Sequence, residues 1–436
     1  MERTVAFYTL GCKVNQYETN AMEQQFIQNG YKIVENTEKA DIYVINTCTV
    51  TNMADRKSRQ MLRRVKEINQ SAVIVVCGCY AQVAKTELEQ IPEVDIILGI
   101  NEKNKIVQIV EEYLASKNNI IEVADVSKQK EFLDFGDVTY TEKNRAVIKV
   151  QDGCNMFCSY CLIPYARGRI RSRKIENVVS EIKKIAKQGI KEVVITGIHV
   201  ASYGKDFENG NIRLINLLEE INKIEGIERI RFISPHPKDF TDDVIEAIRD
   251  CEKVCKIIHL PLQSGSTEIL KRMNRKYTKE QYLALVDKMK AKIPEIVLST
   301  DIIVGFPGET EEDFEDTLDV VSKVRFEQVY MFIYSRRVGT PADKMENQIP
   351  DEVKHERFDR LKKLAESQIE GNNQKYVNTI QKVLVEGKSK TNENMLTGRT
   401  ETNKVVNFEG TDDMIGKIVN LKIVSEHMWY LKGEVQ

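Results

Sequence analysis

Apolar and polar positions along the first part of the chain switch period repeatedly. Runs of strand length at 5–10, 42–46, 73–76 and 96–98 alternate with apolar residues at helical spacing over about 22–28, 53–68 and 106–114. Strands alternating with helices predict a parallel, doubly wound sheet. Residues 123–144 are polar, lack a clear period and predict a linker. A second series follows, with strands at 146–150, 193–196, 229–233, 257–260, 297–304 and 328–332 and helical patterns at 178–187, 214–224, 244–248, 282–289 and 314–324. Six such units predict a partial (βα)6 barrel of TIM type, whose functional groups sit on the loops after the strands. A helix over 350–370 would close it. Short β segments at 379–386, 395–399, 405–408, 417–424 and 429–432 then predict a small closed β-barrel. The expected organisation is an α/β domain over 1–122, the linker 123–144, a barrel domain over 145–371 and a β domain over 372–436.

A chain of 436 residues has room for these cores. Its formal net charge of −2 excludes a protein that coats nucleic acid by bulk electrostatics, so any RNA contact must come from local basic patches. The β domain is no exception, with nine basic and eight acidic side chains from residue 372 onward. The first residues read as a strand without the features of a signal peptide, and no apolar run reaches the ~18 residues of a membrane span. A cytoplasmic protein without membrane partners is expected, its nine cysteines reduced and available to metal.

The cysteines are not scattered. Gly153-Cys154-Asn155-Met156-Phe157-Cys158-Ser159-Tyr160-Cys161 is a CxxxCxxC run placed directly after the first strand of the barrel series. Three thiolates so spaced hold three irons of a [4Fe–4S] cube and leave the fourth iron open, whereas zinc usually takes four ligands in two CxxC pairs. Three more cysteines follow successive strands of the first domain: Gly11-Cys12, Thr47-Cys48 and Gly78-Cys79. Ligands of an open α/β sheet bind at the carboxyl ends of its strands, so Cys12, Cys48 and Cys79 are expected to meet there as a second triad. Each alone would read as a small buried apolar residue. Cys77, Cys251 and Cys255 lie outside either pattern and read as core.

Basic residues gather at two places. The helix after Cys48 carries Arg56, Lys57, Arg59, Arg63, Arg64 and Lys66, either a solvated face or a phosphate contact. Beyond Cys161 the run Pro164-Tyr165-Ala166-Arg167-Gly168-Arg169-Ile170-Arg171-Ser172-Arg173 puts cations and an aromatic beside the triad. Arg63, Arg64, Arg167, Arg169, Arg171 and Arg173 are the candidate RNA contacts. Other loops after barrel strands carry Thr196-Gly197, Ser234-Pro235-His236 and Gln263-Ser264-Gly265, and Asp301 is a carboxylate inside an apolar strand that needs a partner. His199, His236 and His259 read as satisfied core polar groups.

Two cysteine triads in this order, with a barrel and a small β domain, resemble the radical S-adenosylmethionine methylthiotransferases along the whole chain. The resemblance implies two [4Fe–4S] clusters, one on Cys154, Cys158 and Cys161 and one on Cys12, Cys48 and Cys79, with a TRAM-like third domain. It further implies that S-adenosylmethionine binds the open iron beside Tyr160, with Thr196, Gly197, Gln263 and Asp301 as further cofactor contacts. The first cluster would reduce the cofactor to give a radical, and the second would hold the sulfur delivered as methylthio. No side chain is expected as a catalytic acid, base or nucleophile. Gly11-Cys12-Lys13-Val14-Asn15-Gln16 looks most like the branch acting on tRNA carrying N6-threonylcarbamoyladenosine at position 37, the alternatives being isopentenyladenosine in tRNA or an aspartate of a ribosomal protein. The implied partners are a tRNA anticodon stem-loop and an electron donor such as flavodoxin or ferredoxin, with the chain a monomer or weak dimer. The rivals are a non-catalytic RNA-binding protein with structural metal and a radical enzyme whose second cluster relays electrons.

Overall fold

In the computed structural model, which describes residues 2–436 other than 137, 139–143, 209, 234 and 391 and the side chain of 52, the first domain is a parallel sheet. Its strands are β1 (Thr4–Thr9), β2 (Lys32–Ile33), β3 (Ile42–Thr47), β4 (Val73–Gly78), β5 (Ile96–Leu98) and β6 (Ile120–Glu122), in the order β2-β1-β3-β4-β5-β6. Helices α1 (Lys13–Gln28) and α5 (Ile106–Ser116) cover one face, burying Met22, Phe26, Ile106 and Val110. The other face is covered by α2 (Asn52–Ile68), through Leu62 and Val65, and by the short α3 (Cys79–Val83) and α4 (Lys85–Leu88). Thr51 caps α2 by accepting from the Ala54 amide.

Helix α1 begins at Lys13, not near residue 22 as the apolar period predicts. The reason is chemical. Asn15, Glu18 and Thr19 on its first half are buried although polar, so they break up the apolar signal that Val14 and Tyr17 alone would give on the inward face. Edge strands β2 and β6, of two and three residues, were too short to read as strands.

The second domain opens with β7 (Arg145–Lys149), followed by an antiparallel pair of two-residue strands, β8 (Gln151–Asp152) and β9 (Arg171–Ser172), with α6 (Ile163–Arg167) between them. The remaining parallel strands are β10 (Glu192–Thr196), β11 (Arg229–Phe232), β12 (Ile257–His259), β13 (Val297–Val304) and β14 (Gln328–Ile333). They form two ladders, β11-β10-β7 and β12-β13-β14, joined by an isolated bridge between Ile230 and Val254. Strands β7 and β14 are the free edges, so the (βα)6 barrel is open on one side. Its outer layer is α7 (Ile175–Lys187), α8 (Leu214–Asn222), α9 (Asp242–Asp250), α10 (Thr267–Arg272), α11 (Lys279–Lys292), α12 (Glu311–Val324) and the closing α13 (Asp351–Asn373). Capping boxes at Thr278 with Gln281 and at Thr310 with Asp313 fix the starts of α11 and α12.

The third domain is a closed barrel ordered β15 (Ile380–Lys388), β16 (Leu396–Thr400), β17 (Val405–Phe408), β19 (Leu431–Val435) and β18 (Ile418–Glu426). Arg229 and Arg231 of β11 hold it through main-chain oxygens, donating to the carbonyls of Lys382, Arg399, Thr400 and Glu401 at 2.7–3.0 Å. The stretch expected as a linker lies partly outside the described residues. Its described part is packed: Val126 is buried against Cys79 and Ala166, and Val138 against Tyr17. Ser234 is also outside the described residues. No helix among them is long and apolar enough to cross a membrane.

Leu421 is wholly buried in the small barrel among Val383, Val406, Phe408 and Leu431. Leu421→Ala is expected to lower that domain's stability by about 2–5 kcal/mol in urea denaturation, as large-to-small changes in a well-packed core do.

Candidate metal and substrate site

Strands β1, β3 and β4 are neighbours in the sheet, so the residues that follow them emerge side by side. Cys12 precedes α1, Cys48 follows β3, and Cys79 is the first residue of α3. Two glycines make room. At Gly11, with φ +98°, a Cβ would lie 2.5 Å from Cys48 Sγ, and at Gly78, with φ +97°, 2.4 Å from the Thr47 carbonyl. Asn15 holds the group together by donating to the carbonyls of Leu10 (2.7 Å) and Thr47 (2.9 Å), on the loops that carry Cys12 and Cys48. Burial pushes the Cys48 thiol up to about 12, with repulsion from Cys79 and Cys12 adding to it, and burial raises Cys79 also. Left alone, Cys48 and Cys79 therefore stay neutral thiols, and only a bound cation would hold them as thiolates. Cys77, fully buried with Val75 and Leu98, is core, as are Cys251 and Cys255.

The barrel triad sits on the loop between β8 and α6. Gly153 has φ +72°, and a Cβ there would lie 1.9 Å from the Arg169 carbonyl, so only glycine lets the loop start. The sulfurs receive amide and guanidinium hydrogens: Met156 N to Cys154 at 3.5 Å, Ile163 N to Cys161 at 3.4 Å, and Arg275 Nη1 to Cys158 at 3.7 Å. Burial pushes Cys154 up to about 11 and Cys161 higher still, with Cys158 repelling both. Among the described residues no three His, Cys, Asp or Glu side chains close around one ion. A single zinc with sulfur bonds of ~2.3 Å would need that. A four-iron cube spreads its thiolates farther apart, and three cysteines are the donor set such a cube takes when one iron is left open.

Between the triads lies a buried ion cluster. Glu18 of α1 is completely inaccessible and meets Lys103 at 2.5 Å, Lys149 at 2.6 Å and Arg167 at 2.8 Å. Asp152 meets Lys149 at 2.6 Å, Arg167 at 3.1 Å and Arg171 at 3.6 Å. Burial alone would raise both carboxyls, but these cations outweigh it and hold them well below the usual carboxylate range. Two carboxylates face four cations, so the pocket beside Cys79 has a surplus of positive charge that suits an anionic, thiolate-ligated cluster.

This cluster corrects the expectation for the basic run. Arg167, Arg171 and Arg173 are at most 2% exposed and turn inward, Arg173 onto Glu181, Asp134 and the Tyr17 hydroxyl. They cannot meet a phosphate backbone. Of the four arginines in the run Arg169 alone faces solvent, its guanidinium 4.7 Å from the centre of the Phe157 ring. On α2, Arg63 and Arg64 are exposed, while Arg59 is engaged by Tyr80 and Glu87.

A cavity of about 960 Å³ opens where the three domains meet. Cys12, Gln16 and Glu23 form one wall, Asn403 of the third domain another, and the inside of the barrel the rest, through Phe232, Ile233, Ile257, His259, Asp301, Tyr330 and Phe332. Asp301 has the partner that a carboxylate in an apolar strand requires, His259 Nε2 at 3.2 Å, and the His259 ring meets Ser299 Oγ through Nδ1 at 3.1 Å. Gln263 is adjacent, donating its amide to the Asp301 carbonyl at 2.8 Å from a left-handed backbone at φ +73° that glutamine rarely adopts. Thr196 is buried and its hydroxyl has no partner among the described residues, and Gly197 packs on Gln151. Tyr160 is apart from these, in an apolar group with Ile269, Phe306 and Tyr334. His199 lies 2.8 Å from Asp239, and the His236 ring lies 5.6 Å from that of His199, tilted by 50°; both are buried polar groups.

The sequence reading missed Asn15, Glu18, Lys103, Lys149, Asp152 and Arg275. A signal existed for one of them: Lys149 is a charge inside the apolar run 146–150 that a purely hydrophobic core would not tolerate. Glu18 gave none, because its partners Lys103, Lys149 and Arg167 come from three distant segments.

A thiol triad on the loop after the first strand of an open (βα)6 barrel defines a radical S-adenosylmethionine enzyme. Residues 148–321 match the Radical SAM superfamily, residues 4–99 the uncharacterized protein family UPF0004, and residues 374–436 the TRAM domain. The tRNA-2-methylthio-N(6)-dimethylallyladenosine synthase of Clostridium beijerinckii is 47% identical over 98% of this chain and 95% of its own. The protein of the same name from Caldicellulosiruptor saccharolyticus is 47% identical over 99% and 92%. The chain belongs to the radical S-adenosylmethionine methylthiotransferase family, and is therefore an enzyme using a [4Fe–4S] cluster and S-adenosylmethionine, not a structural RNA binder. A solved radical S-adenosylmethionine methyltransferase from Kitasatospora setae, with cobalamin and a [4Fe-4S] cluster bound, shares the fold at a TM-score of 0.59 and 15% identity, over 79% of this chain and 77% of that one.

The relatives overturn the branch read from Gly11 to Gln16. They are named for dimethylallyladenosine, the isopentenyl nucleoside, and not for threonylcarbamoyladenosine. The physical weakness of that motif is visible: Val14 is 1% exposed, so its identity reports core packing rather than the substrate.

Two outcomes follow from the charges. Glu18→Gln leaves Asp152 alone against four buried cations and should cost about 3–5 kcal/mol of stability, read in denaturant unfolding of the metal-free protein. Burial raises the Glu23 carboxyl from 4.5 to about 7. Its folded value exceeds its unfolded one, so stability should fall as pH rises from 4.5 through about 7, and Glu23→Gln should flatten that slope in melting curves.

Proposed function

We propose that this enzyme methylthiolates carbon 2 of N6-dimethylallyladenosine in tRNA. Cys154, Cys158 and Cys161 would hold the cluster that binds S-adenosylmethionine, and Cys12, Cys48 and Cys79 a second [4Fe–4S] cluster. The observation that carries the reading is the shared cavity, in which a cysteine of the first domain faces the barrel interior across a space with room for a nucleoside. When bound, the clusters and S-adenosylmethionine supply one-electron chemistry for a C–H bond that no side-chain base of ordinary pKa can ionise.

The chain's own residues supply binding and orientation. Tyr330 and Phe332, 47% and 42% exposed on the inner face of β14, offer aromatic surface for an adenine. Ile233, Ile257 and Phe232 add apolar wall for a five-carbon substituent, worth about 0.8 kcal/mol for each CH₂ buried. Arg145 and Arg231, the arginines of this wall, are already engaged by Glu192 at 3.3 and 2.9 Å, which favours an uncharged N6 group. The free hydroxyl of Thr196, the strained Gln263 and Asp301 support roles in holding S-adenosylmethionine, with Gly197 beside them and Tyr160 toward its adenine. Of the six candidate arginines, Arg63, Arg64 and Arg169 are the exposed ones left for an anticodon stem-loop. The reading carries with it a cytoplasmic monomer or weak dimer fed by a flavodoxin or ferredoxin.

Anaerobically reconstituted protein should hold about eight irons. The Cys12→Ala/Cys48→Ala/Cys79→Ala variant should hold about four and still cleave S-adenosylmethionine while forming no methylthio nucleoside. Mass analysis of digested tRNA should show product from the dimethylallyl substrate. Product on threonylcarbamoyl tRNA alone, or iron unchanged in the triple variant, would overturn the reading.

A further inference from the structure

Arg167 is the one barrel side chain that donates to a sulfur of the first-domain triad among the described residues, with Nε 3.2 Å from Cys79 Sγ. It lies on α6, six residues beyond Cys161, so one short segment touches both triads. Its remaining donors are all taken. Nη1 meets Glu18 at 2.8 Å and Asp152 at 3.1 Å, and Nη2 meets Asn15 at 2.6 Å and Glu18 at 3.1 Å. A planar guanidinium with each of its five N–H groups matched to an acceptor cannot rotate away from the sulfur. The site is fully buried, which strengthens both the N–H···S bond and the positive charge behind it.

When one electron enters an iron–sulfur cluster, no bond is made or broken, but negative charge rises on its sulfur ligands. A fixed donor and a desolvated cation at one of those ligands favour the reduced form. Resting on the reading that Cys12, Cys48 and Cys79 hold a cluster, we propose that Arg167 is a positioning residue that raises the reduction potential of that cluster and couples it mechanically to the loop carrying the other.

The test uses the full chain with Cys154→Ala, Cys158→Ala and Cys161→Ala, so that only the first-domain cluster reports. Iron is reconstituted anaerobically and the cluster titrated with dithionite, followed by electron paramagnetic resonance. Arg167→Gln removes the charge and the Nε donor while Lys103, Lys149 and Arg171 still neutralise the two carboxylates, so folding is retained. Arg167→Lys keeps the charge and loses the fork. The expected midpoint is most negative for Arg167→Gln and intermediate for Arg167→Lys, with an altered spectrum in both. A parent that binds no iron sinks the two-cluster reading itself. A parent that binds iron, with both variants at its midpoint, sinks only the role given to Arg167.

Discussion

The burial of Glu18 is the constraint on which the arrangement rests. A carboxylate with no access to water is tolerable only if cations and donors close around it, and those around Glu18 come from both domains: Lys103 from the first, Lys149 and Arg167 from the barrel. Hydrophobic contact between α1 and the barrel, through Tyr17, Val147 and Val194, would hold the domains together at many relative angles. The ion cluster admits one. That fixed angle is what brings Cys12 to the wall of the barrel cavity.

The same device explains the departures from hydrophobic patterning. Parallel sheet, open barrel and closed β domain were legible because the parallel strands are apolar runs between helices of period 3.6, with β13 found over its eight residues, while strands of the small barrel such as β16 alternate. The first half of α1 and the linker were not, since one buries polar groups and the other packs through single residues such as Val126 and Val138. Both cysteine sets were readable because their spacing relative to strands is a local property. The network that organises them was not, because it joins residues 18, 103, 149, 152, 167 and 171, whose proximity only the tertiary fold creates.

The arginines illustrate how charge in a sequence misleads. Arg167, Arg169, Arg171 and Arg173 crowd one short run, and cations with an aromatic beside the triad point to a nucleic-acid contact. Three of the four turn inward because acidic partners wait at Asp152, Glu18 and Glu181, which lie before, far before and after them in the chain. Composition near a motif says how many charges exist. It does not say which have been claimed by the interior.

The way β11 grips the third domain has a consequence for how the protein can change. Arg229 and Arg231 hold peptide oxygens of β15, β16 and the turn after it, groups that every amino acid possesses. Side chains of that module other than those that pair with the body, such as Glu386 with Arg145 and Lys404 with Glu327, can therefore drift through generations without loosening its attachment. A different small barrel of equal backbone trace could be grafted onto the same catalytic body, which makes the appendage an evolutionary interchangeable part.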